Sequence, residues 1–281
     1  MDKANNTSFS IVIVNFNMEE FLEDALQSVV RQDYPKELVQ LIVIDGGSTD
    51  HSVDIIKKYD QHIDYWISEP DKGQSDAFNK GFSHAKHEWL FWLNADDFLL
   101  KDALKGLSAR MNVMLASKPD LKWFCFDNLM TDVEGVCHRA IYGPDWNGFF
   151  MRRLGPQIHS ATSVFHKDIY TQSQQFDLRL HYSMDLDLWL QFFTMGYTYR
   201  TVHLFAYAIR VNSQSKTFSE GLKYNPSEER RRQSALMWSK YQFRPILKFL
   251  PYWKLYKAFT ILLPLLFNNL RFRGKQLIWW K

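Results

Sequence analysis

Cysteine is nearly missing from this 281-residue chain: there are two, Cys125 and Cys137. They form neither a metal-ligand spacing nor a disulfide framework, so a reduced, cytosolic setting is expected, with both thiols packed or at the surface. The first residues, MDKANNTS, are polar and lead straight into an apolar strand, and no signal peptide is expected. The apolar stretch Ala258–Phe267 contains Pro264 and falls short of the roughly twenty residues that a membrane span requires. No internal repeat or low-complexity linker interrupts the chain. Gly-x-Ser-x-Gly and Cys/His arrangements are absent too, which removes the usual signatures of a covalent nucleophile.

With 46% hydrophobic and 16% aromatic residues, the chain can bury a large core, enough for one large domain or two small ones. The net charge is +3, unevenly spread: residues 228–281 carry about +10 and the rest about −7. Such asymmetry points to a tail that meets an anionic surface, membrane or nucleic acid. No nucleic-acid recognition fold accompanies the charge, so no nucleic-acid partner is expected.

Trp89–Leu100 (WLFWLNADDFLL) organises the reading. Its apolar run suits a buried strand, ending in Asn94-Ala95 and the adjacent carboxylates Asp96 and Asp97. Neighbouring carboxylates repel, and a hard divalent cation shared with substrate phosphates meets that need. The plainer alternative is a solvated turn in which Asp96 or Asp97 caps a helix beginning near Leu99.

Upstream, Phe9–Asn15 reads as a central strand. Asn17 with Glu20 forms a capping-box pattern opening a helix through about Gln32. Leu41–Ile44 is a second strand, followed by Asp45-Gly46-Gly47-Ser48-Thr49-Asp50 and a helix to about Tyr59. A short strand near Tyr65–Ile67, the loop Ser68–Gly73 and a helix over about Ser75–Ala85 complete the series. This alternation predicts an α/β fold with a doubly wound, mostly parallel sheet. Asp45, Glu69/Asp71 and Asp96/Asp97 each follow an apolar strand, where such sheets bind ligands. Three acidic loops converging there suggest a metal and a nucleotide.

Later, Trp123–Asp127 and Thr162–His166 read as strands and Asn128–Arg139 as a hairpin around Glu134-Gly135. Asp185–Met195 has helical spacing, with Leu186, Leu190 and Phe193 on one side, and Tyr199–Arg210 is a long strand. The economical division is a catalytic domain over 1–217 and a basic, aromatic-rich helical extension over 218–281.

The ordered set of motifs from Ser10 to Thr217 resembles the inverting, nucleotide-sugar-dependent glycosyltransferases of family two, with the GT-A fold. SIVIVNFN resembles the family's opening strand, which implies Asn15 and Asn17 beside the donor. IDGGSTD resembles its nucleotide-binding loop, with Asp45 on the base and Gly46 and Ser48 nearby. SEPDKGQSDAFNKGF resembles the segment lining the diphosphate, implying Asp71, Lys72, Gly73 and Asn79 there. LNADD resembles the DXD-type motif: Asp97 would ligate Mn2+ or Mg2+, and Asp96 would meet ribose or metal beside Asn94. YSMDLDLWLQF resembles the late motif whose carboxylate is the catalytic base, which is Asp185 here. The loop after Arg210 resembles the family's late diphosphate loop.

The chain departs from the pattern in three places. Met184 precedes Asp185 where Glu is frequent, Phe78 precedes Asn79 where Arg is frequent, and Asn212 stands where the late loop has His.

The chemistry suits these residues. In a single displacement the acceptor hydroxyl loses its proton to a nearby carboxylate, and a helix N-terminus favours the ionised form of Asp185. The alternative for Asp185 is an ordinary N-cap. Asp187 is a rival base pointing away from Asp185 on a helix. A divalent cation would neutralise the departing nucleoside diphosphate. His159 and His166 read as packing or surface residues, with an acceptor contact by one of them as the alternative, and Trp146 and Trp189 as core residues or sugar platforms.

Residues 245–281 fit an interfacial helix on anionic headgroups or a helix packed on the catalytic domain. The expected partners are a nucleotide-sugar donor, most readily a UDP-sugar, and a glycan or lipid-linked oligosaccharide acceptor. The expected location is peripheral at the cytoplasmic face of the inner membrane, in assembly of capsule, exopolysaccharide or lipopolysaccharide. Two rivals stay open: a polyprenyl-phosphate glycosyltransferase and a degenerate nucleotide-sugar-binding subunit.

Overall fold

The computed structural model describes residues 7–143, 158, 161–213, 215, 228–241 and 273–278. Four buried or half-buried runs build the first half of the sheet: β1 (Phe9–Asn15), β2 (Val39–Asp45), β3 (Tyr65–Ser68) and β4 (Trp89–Asn94). Every β1 residue is buried, as expected for a strand covered on both faces. Between them lie α1 (Glu19–Val30), α2 (Ser52–Lys58) and α3 (Gln74–Ser83).

The second half comprises β5 (Phe98–Leu99), α4 (Ala103–Ser117), β6 (Trp123–Thr131), β7 (Cys137–Ile141) and β8 (Ser163–His166). It continues with α5 (Lys167–Gln172), α6 (Met184–Thr194), β9 (Arg200–Arg210) and α7 (Glu228–Lys240).

The strands form one sheet in the order β3-β2-β1-β4-β8-β6-β9-β5, with β7 paired to β6. β3, β2, β1 and β4 are mutually parallel. β8 runs antiparallel to both β4 and β6, and β9 is parallel to β6, so β6 and β9 point the same way as the first four. The expected α/β fold with a mostly parallel sheet is therefore present, with β5, β7 and β8 running against it. Register then gathers the polar strand ends: Asn15 pairs with Asp45, Asp45 with Ser68, and Val14 with Asn94.

Successive strand residues face opposite sides, and helices cover both. On the Val12/Trp92 side, Phe78 of α3 meets Trp92, and Trp189 of α6 stacks between Trp92 and Trp123, each 5.3 Å away. Trp189 is fully buried, so it is a core residue and no sugar platform. On the other side Tyr34, after α1, packs against Phe9.

Several local expectations change. Met18, with no side-chain cap, is the N-cap of α1, so the capping box on Asn17 does not form. Instead Glu19 N donates to Asp50 Oδ2 (2.9 Å) and Glu19 Oε2 accepts from His51 N (2.6 Å), so the helix start is capped from the next loop. No helix begins at Leu99: Phe98 and Leu99 pair with β9 as β5, and α4 starts after Asp102.

Both described parts of the C-terminal extension rest on the main body. Lys240 of α7 reaches buried Asp187 (3.1 Å), and Gly274 N donates to Cys137 O (2.7 Å) beside the β6–β7 hairpin. Ala258–Phe267, expected to lie at a membrane, is outside the described residues, as are Trp146, His159 and Thr217. No helix among the described residues is long and apolar enough to cross a membrane.

The seat of α3 on the sheet depends on Gly81, where an added Cβ would run into Val12 Cγ1 and lie 3.3 Å from Ile44 Cγ1. Gly81→Ala is expected to destabilise the protein by about 1–3 kcal/mol in urea denaturation, despite alanine's better helix propensity. An unchanged midpoint would contradict this packing.

Candidate active site

At the carboxyl end of β2, Asp45 is fully buried and organises the loop after it. Its Oδ1 accepts from Asn15 Nδ2 (2.7 Å) and Ser48 Oγ (2.5 Å). Its Oδ2 accepts from Ser68 Oγ (2.6 Å), Ser48 N (2.9 Å) and Gly47 N (3.2 Å). Five donors fill a carboxylate's acceptor capacity. Asp45 therefore shapes the Gly46–Ser48 loop, and a direct contact to a base would require one of these donors to give way.

Asn17 clamps the same loop. Its N donates to Ser48 Oγ (2.8 Å), and its Oδ1 accepts from Thr49 N (2.8 Å). Asn15 Oδ1 is buried with no donor among the described residues, which leaves it able to accept from a ligand N–H. Over the loop stands Phe16, 59% exposed although it follows a fully buried strand. A Cβ added at Gly46 would lie 2.7 Å from Asp71 Oδ2 and 3.3 Å from Phe16 Cδ2, so a glycine there lets both side chains close on the loop.

At the end of β4 the two adjacent carboxylates have different surroundings. Asp97 is 3% exposed. Its Oδ2 accepts from Tyr207 Oη (2.7 Å) and Asn94 Nδ2 (2.8 Å), and its Oδ1 from Arg210 N (2.9 Å). Burial, and then the charge of Asp96, raises the Asp97 carboxyl above the ordinary range, while those donors pull the other way. Asp96 is half-buried, and burial raises it too. Among the described residues one side-chain donor reaches it, Asn212 Nδ2 at 2.9 Å from Oδ2. Asp96 is thus the carboxylate with capacity left, and neither residue caps a helix.

Two expected donor contacts have other work in the structure. Arg210 is 1% exposed, its guanidinium held by Asp24 (3.0 Å) between the rings of Phe21 and Phe98. It is an internal ion pair and does not offer itself to phosphate. Asn79 Oδ1 accepts from Tyr170 Oη (2.7 Å) and Phe176 N (3.0 Å), and its Nδ2 donates to Phe176 O (2.9 Å). Its amide thus anchors residues 170–176.

Around the N-terminus of α3, Asp71 accepts from Gly73 N (2.7 Å) and Lys72 is exposed. Gly73 has φ +105°, a backbone conformation that favours glycine, and an added Cβ would lie 3.3 Å from His181 Nδ1. Glu69, from the same acidic loop, is taken up by Lys80 (2.8 Å).

A short relay connects Asp97 to Asp185. Asn94 donates to Asp97 and accepts from Gln74 Nε2 (3.2 Å). The next residue, Ser75, directs its hydroxyl to Leu180 O (3.1 Å) and Met184 Sδ (3.2 Å). Asp185 follows Met184 in the first turn of α6, half-buried, its Oδ1 accepting from Leu186 N (2.8 Å). Asp187, the rival, is fully buried and bonded to Gln191 Nε2 (2.8 Å), Lys240 and Tyr241. It cannot meet an acceptor.

Sequence reasoning missed Phe16, Gln74 and Tyr207. Only Phe16 had a visible signal, an aromatic ring just past the end of an apolar strand. A cavity of about 260 Å³ lined by Tyr34, Val39, His62 and Asp64 lies at the other end of β2, away from these residues. Open α/β sheets bind ligands at the carboxyl ends of their strands, so the mouth carries the chemical argument.

Residues 10–114 match the family model described as glycosyl transferase family 2. The chain is 28% identical over 104 residues to the poly(ribitol-phosphate) beta-N-acetylglucosaminyltransferase TarS of Staphylococcus aureus, covering 36% of this chain and 18% of TarS. It is 29% identical over 151 residues to a PGL/p-HBAD biosynthesis glycosyltransferase of Mycobacterium bovis, covering 48% of this chain and 58% of that protein.

In structure it resembles S. aureus TarS 1-349 in complex with UDP-GlcNAc, with TM-score 0.61 and 16% identity over 83% of this chain and 66% of that one. It also resembles a mannosyltransferase from Pyrobaculum calidifontis in complex with GDP-Man and Mn2+, with TM-score 0.61 and 15% identity over 84% and 64%. The chain therefore spans under two thirds of each of these proteins. Residues 10–114 are thus similar to glycosyl transferase family 2, and the sheet has the GT-A arrangement of these solved structures.

Proposed function

We propose that the protein transfers a sugar from a UDP-sugar donor to a hydroxyl of a glycan or lipid-linked acceptor in cell-surface polysaccharide assembly, with inversion. The observation that carries this reading is the relay from Asp97 through Asn94 and Gln74 to Ser75 and Met184, which brings the β4 loop and the Asp185 turn to one mouth. Residues 1–217 are the catalytic domain and 218–281 an extension. Its charge of about +10 over residues 228–281 suits work at the cytoplasmic face of an anionic membrane.

Phe16 stacks on the base, and Asn15 Oδ1 accepts a base N–H. Asp71, Lys72 and the backbone at Gly73 line the diphosphate. Asp185 takes the proton of the attacking hydroxyl as the glycosidic bond to the departing nucleotide breaks. The donor set at Asp96 fits Mn2+ or Mg2+, which bind through one or two carboxylates together with substrate phosphates. Asp96 would hold the ion, which supplies Lewis-acid neutralisation of the leaving diphosphate. Asp97, engaged by three protein donors, supports the loop from behind.

The test is UDP release from UDP-GlcNAc in Mn2+, read beside thermal melts. Asp96→Ala is expected to keep the melting midpoint and lose turnover at least a hundredfold, on the order of 3 kcal/mol. Asp97→Ala strands three donors and is expected to destabilise the fold by about 3 kcal/mol or more. The reverse pattern would exchange their roles.

Asp185→Asn is expected to lower turnover by about a hundredfold or more with UDP affinity unchanged. Full activity in that variant removes the base assignment. Phe16→Ala is expected to weaken UDP binding by about five- to tenfold in calorimetry, near 1 kcal/mol. Unaltered affinity would take Phe16 out of the donor site.

A further inference from the structure

Helix α7 lies far along the chain from the mouth, yet its described side chains converge on the turn that carries Asp185. Gln233 is 2% exposed, and its Oε1 accepts from both His181 N and Tyr182 N at 2.8 Å. These amides lead into Ser183, which has φ 58° and ψ 22° and is the N-cap of α6 without any side-chain cap. A non-glycine residue in the left-handed region is held there by its surroundings.

Two turns further along α7, about 10 Å by helix geometry, Lys240 Nζ sits 3.1 and 3.2 Å from the oxygens of Asp187. Tyr241 Oη donates to the same carboxylate at 2.8 Å. Lys240 also lies 3.8 Å from Asp177, whose carboxyl the Arg179 hydrogen bonds hold down at about 2. Ser75 of α3 holds Leu180 O and Met184 Sδ from the other direction. The anchors on residues 180–184 and on 187 therefore bracket Asp185 on both sides in sequence.

We infer that Gln233 and Lys240 of α7 are positioning residues for the reaction, fixing the start of α6 so that Asp185 is presented to the acceptor in one orientation. This inference rests on the reading of Asp185 as the base. A local side-chain cap would normally fix the first turn of a helix; here Gln233 of the C-terminal extension instead holds the two amides that precede the N-cap. Displacing a reacting group by about 1 Å can cost on the order of a hundredfold in rate, while a donor bound by other elements notices little. The extension thus acts on turnover and not on donor affinity.

The experiment uses the full chain with UDP-GlcNAc and Mn2+, water as acceptor, and rates normalised to UDP-binding sites counted by calorimetry. The variants are Gln233→Leu, Lys240→Arg and the pair Asp187→Asn with Lys240→Gln, which avoids leaving a lone buried charge. Expected are kcat lower by at least tenfold in Gln233→Leu and the pair, donor KM and UDP affinity within twofold of the parent, and partial recovery in Lys240→Arg. Amide exchange over residues 181–187 of the UDP-bound protein is expected to quicken at least tenfold in Gln233→Leu, a readout that needs no turnover.

Unchanged kcat with a lowered melting midpoint would reduce α7 to a structural support and overturn the inference. So would unchanged exchange, or a parallel fall in kcat and UDP affinity. Asp185→Asn separates the two levels. If it is fully active, the base assignment itself has failed. If it is inactive while the α7 variants turn over normally, only the positioning inference has.

Discussion

A carboxylate with 3% of its surface exposed has to be answered by donors from the protein itself, and Asp97 is answered from three directions: its own loop, the hydroxyl of Tyr207 and the amide of Arg210. Tyr207 and Arg210 belong to β9, so this one side chain fastens the exit of β4 to a strand more than a hundred residues later. An unmet acceptor in that position would be costly. Meeting it draws the carboxyl ends of β4 and β9 together and leaves the neighbouring Asp96 at the rim, with Asn212 beside it. The division of labour between adjacent aspartates follows from where each side chain points when the loop closes.

The same logic holds across the mouth. Asp45 spends its oxygens on its own loop, which leaves the exposed ring of Phe16 and Asn15 Oδ1 as the groups open to a ligand on that side. The far side is set by packing: Trp189 of α6 is stacked between Trp92 and Trp123, which fixes the helix that begins with Asp185. Two buried carboxylates and a stack of three indoles therefore fix the loops at which a donor and an acceptor would meet. The polar groups best placed to act are those that the scaffold leaves partly unspent.

Much of the fold could be read from the chain because period and punctuation agree. β1, β2 and β4 are apolar runs, interrupted only by Ser10 and Gln40, that end in Asn or Asp, and the helices between them bury residues at helical spacing. The topology of the second half was out of reach, since β5 is two residues long and pairs with a strand near residue 208. The site was legible as a location more than as a set of contacts. Arg210 and Asn79 sit in the expected motifs, yet their side chains turn to Asp24 and to Phe176. A motif places a residue at the strand end but does not say which neighbours claim its hydrogen bonds. For the same reason the Asn17–Glu20 pattern gave a false cap, because Asp50 from another loop took the donor first. The grip of α7 on the Asp185 turn lies between residues more than fifty apart, beyond any local pattern.

In the proposed reading the nucleotide lies at the carboxyl ends of the strands, against the exposed ring of Phe16 and beside Asn15, and not in the cavity beside Tyr34, His62 and Asp64 at the opposite end of β2. Photolabelling with 5-azido-UDP, competed by UDP-GlcNAc and mapped by peptide mass spectrometry, distinguishes the two ends directly. The account predicts competable label on residues 15–17 or 46–50. Competable label on residues 59–64 or 30–39, with none at the mouth, would contradict it.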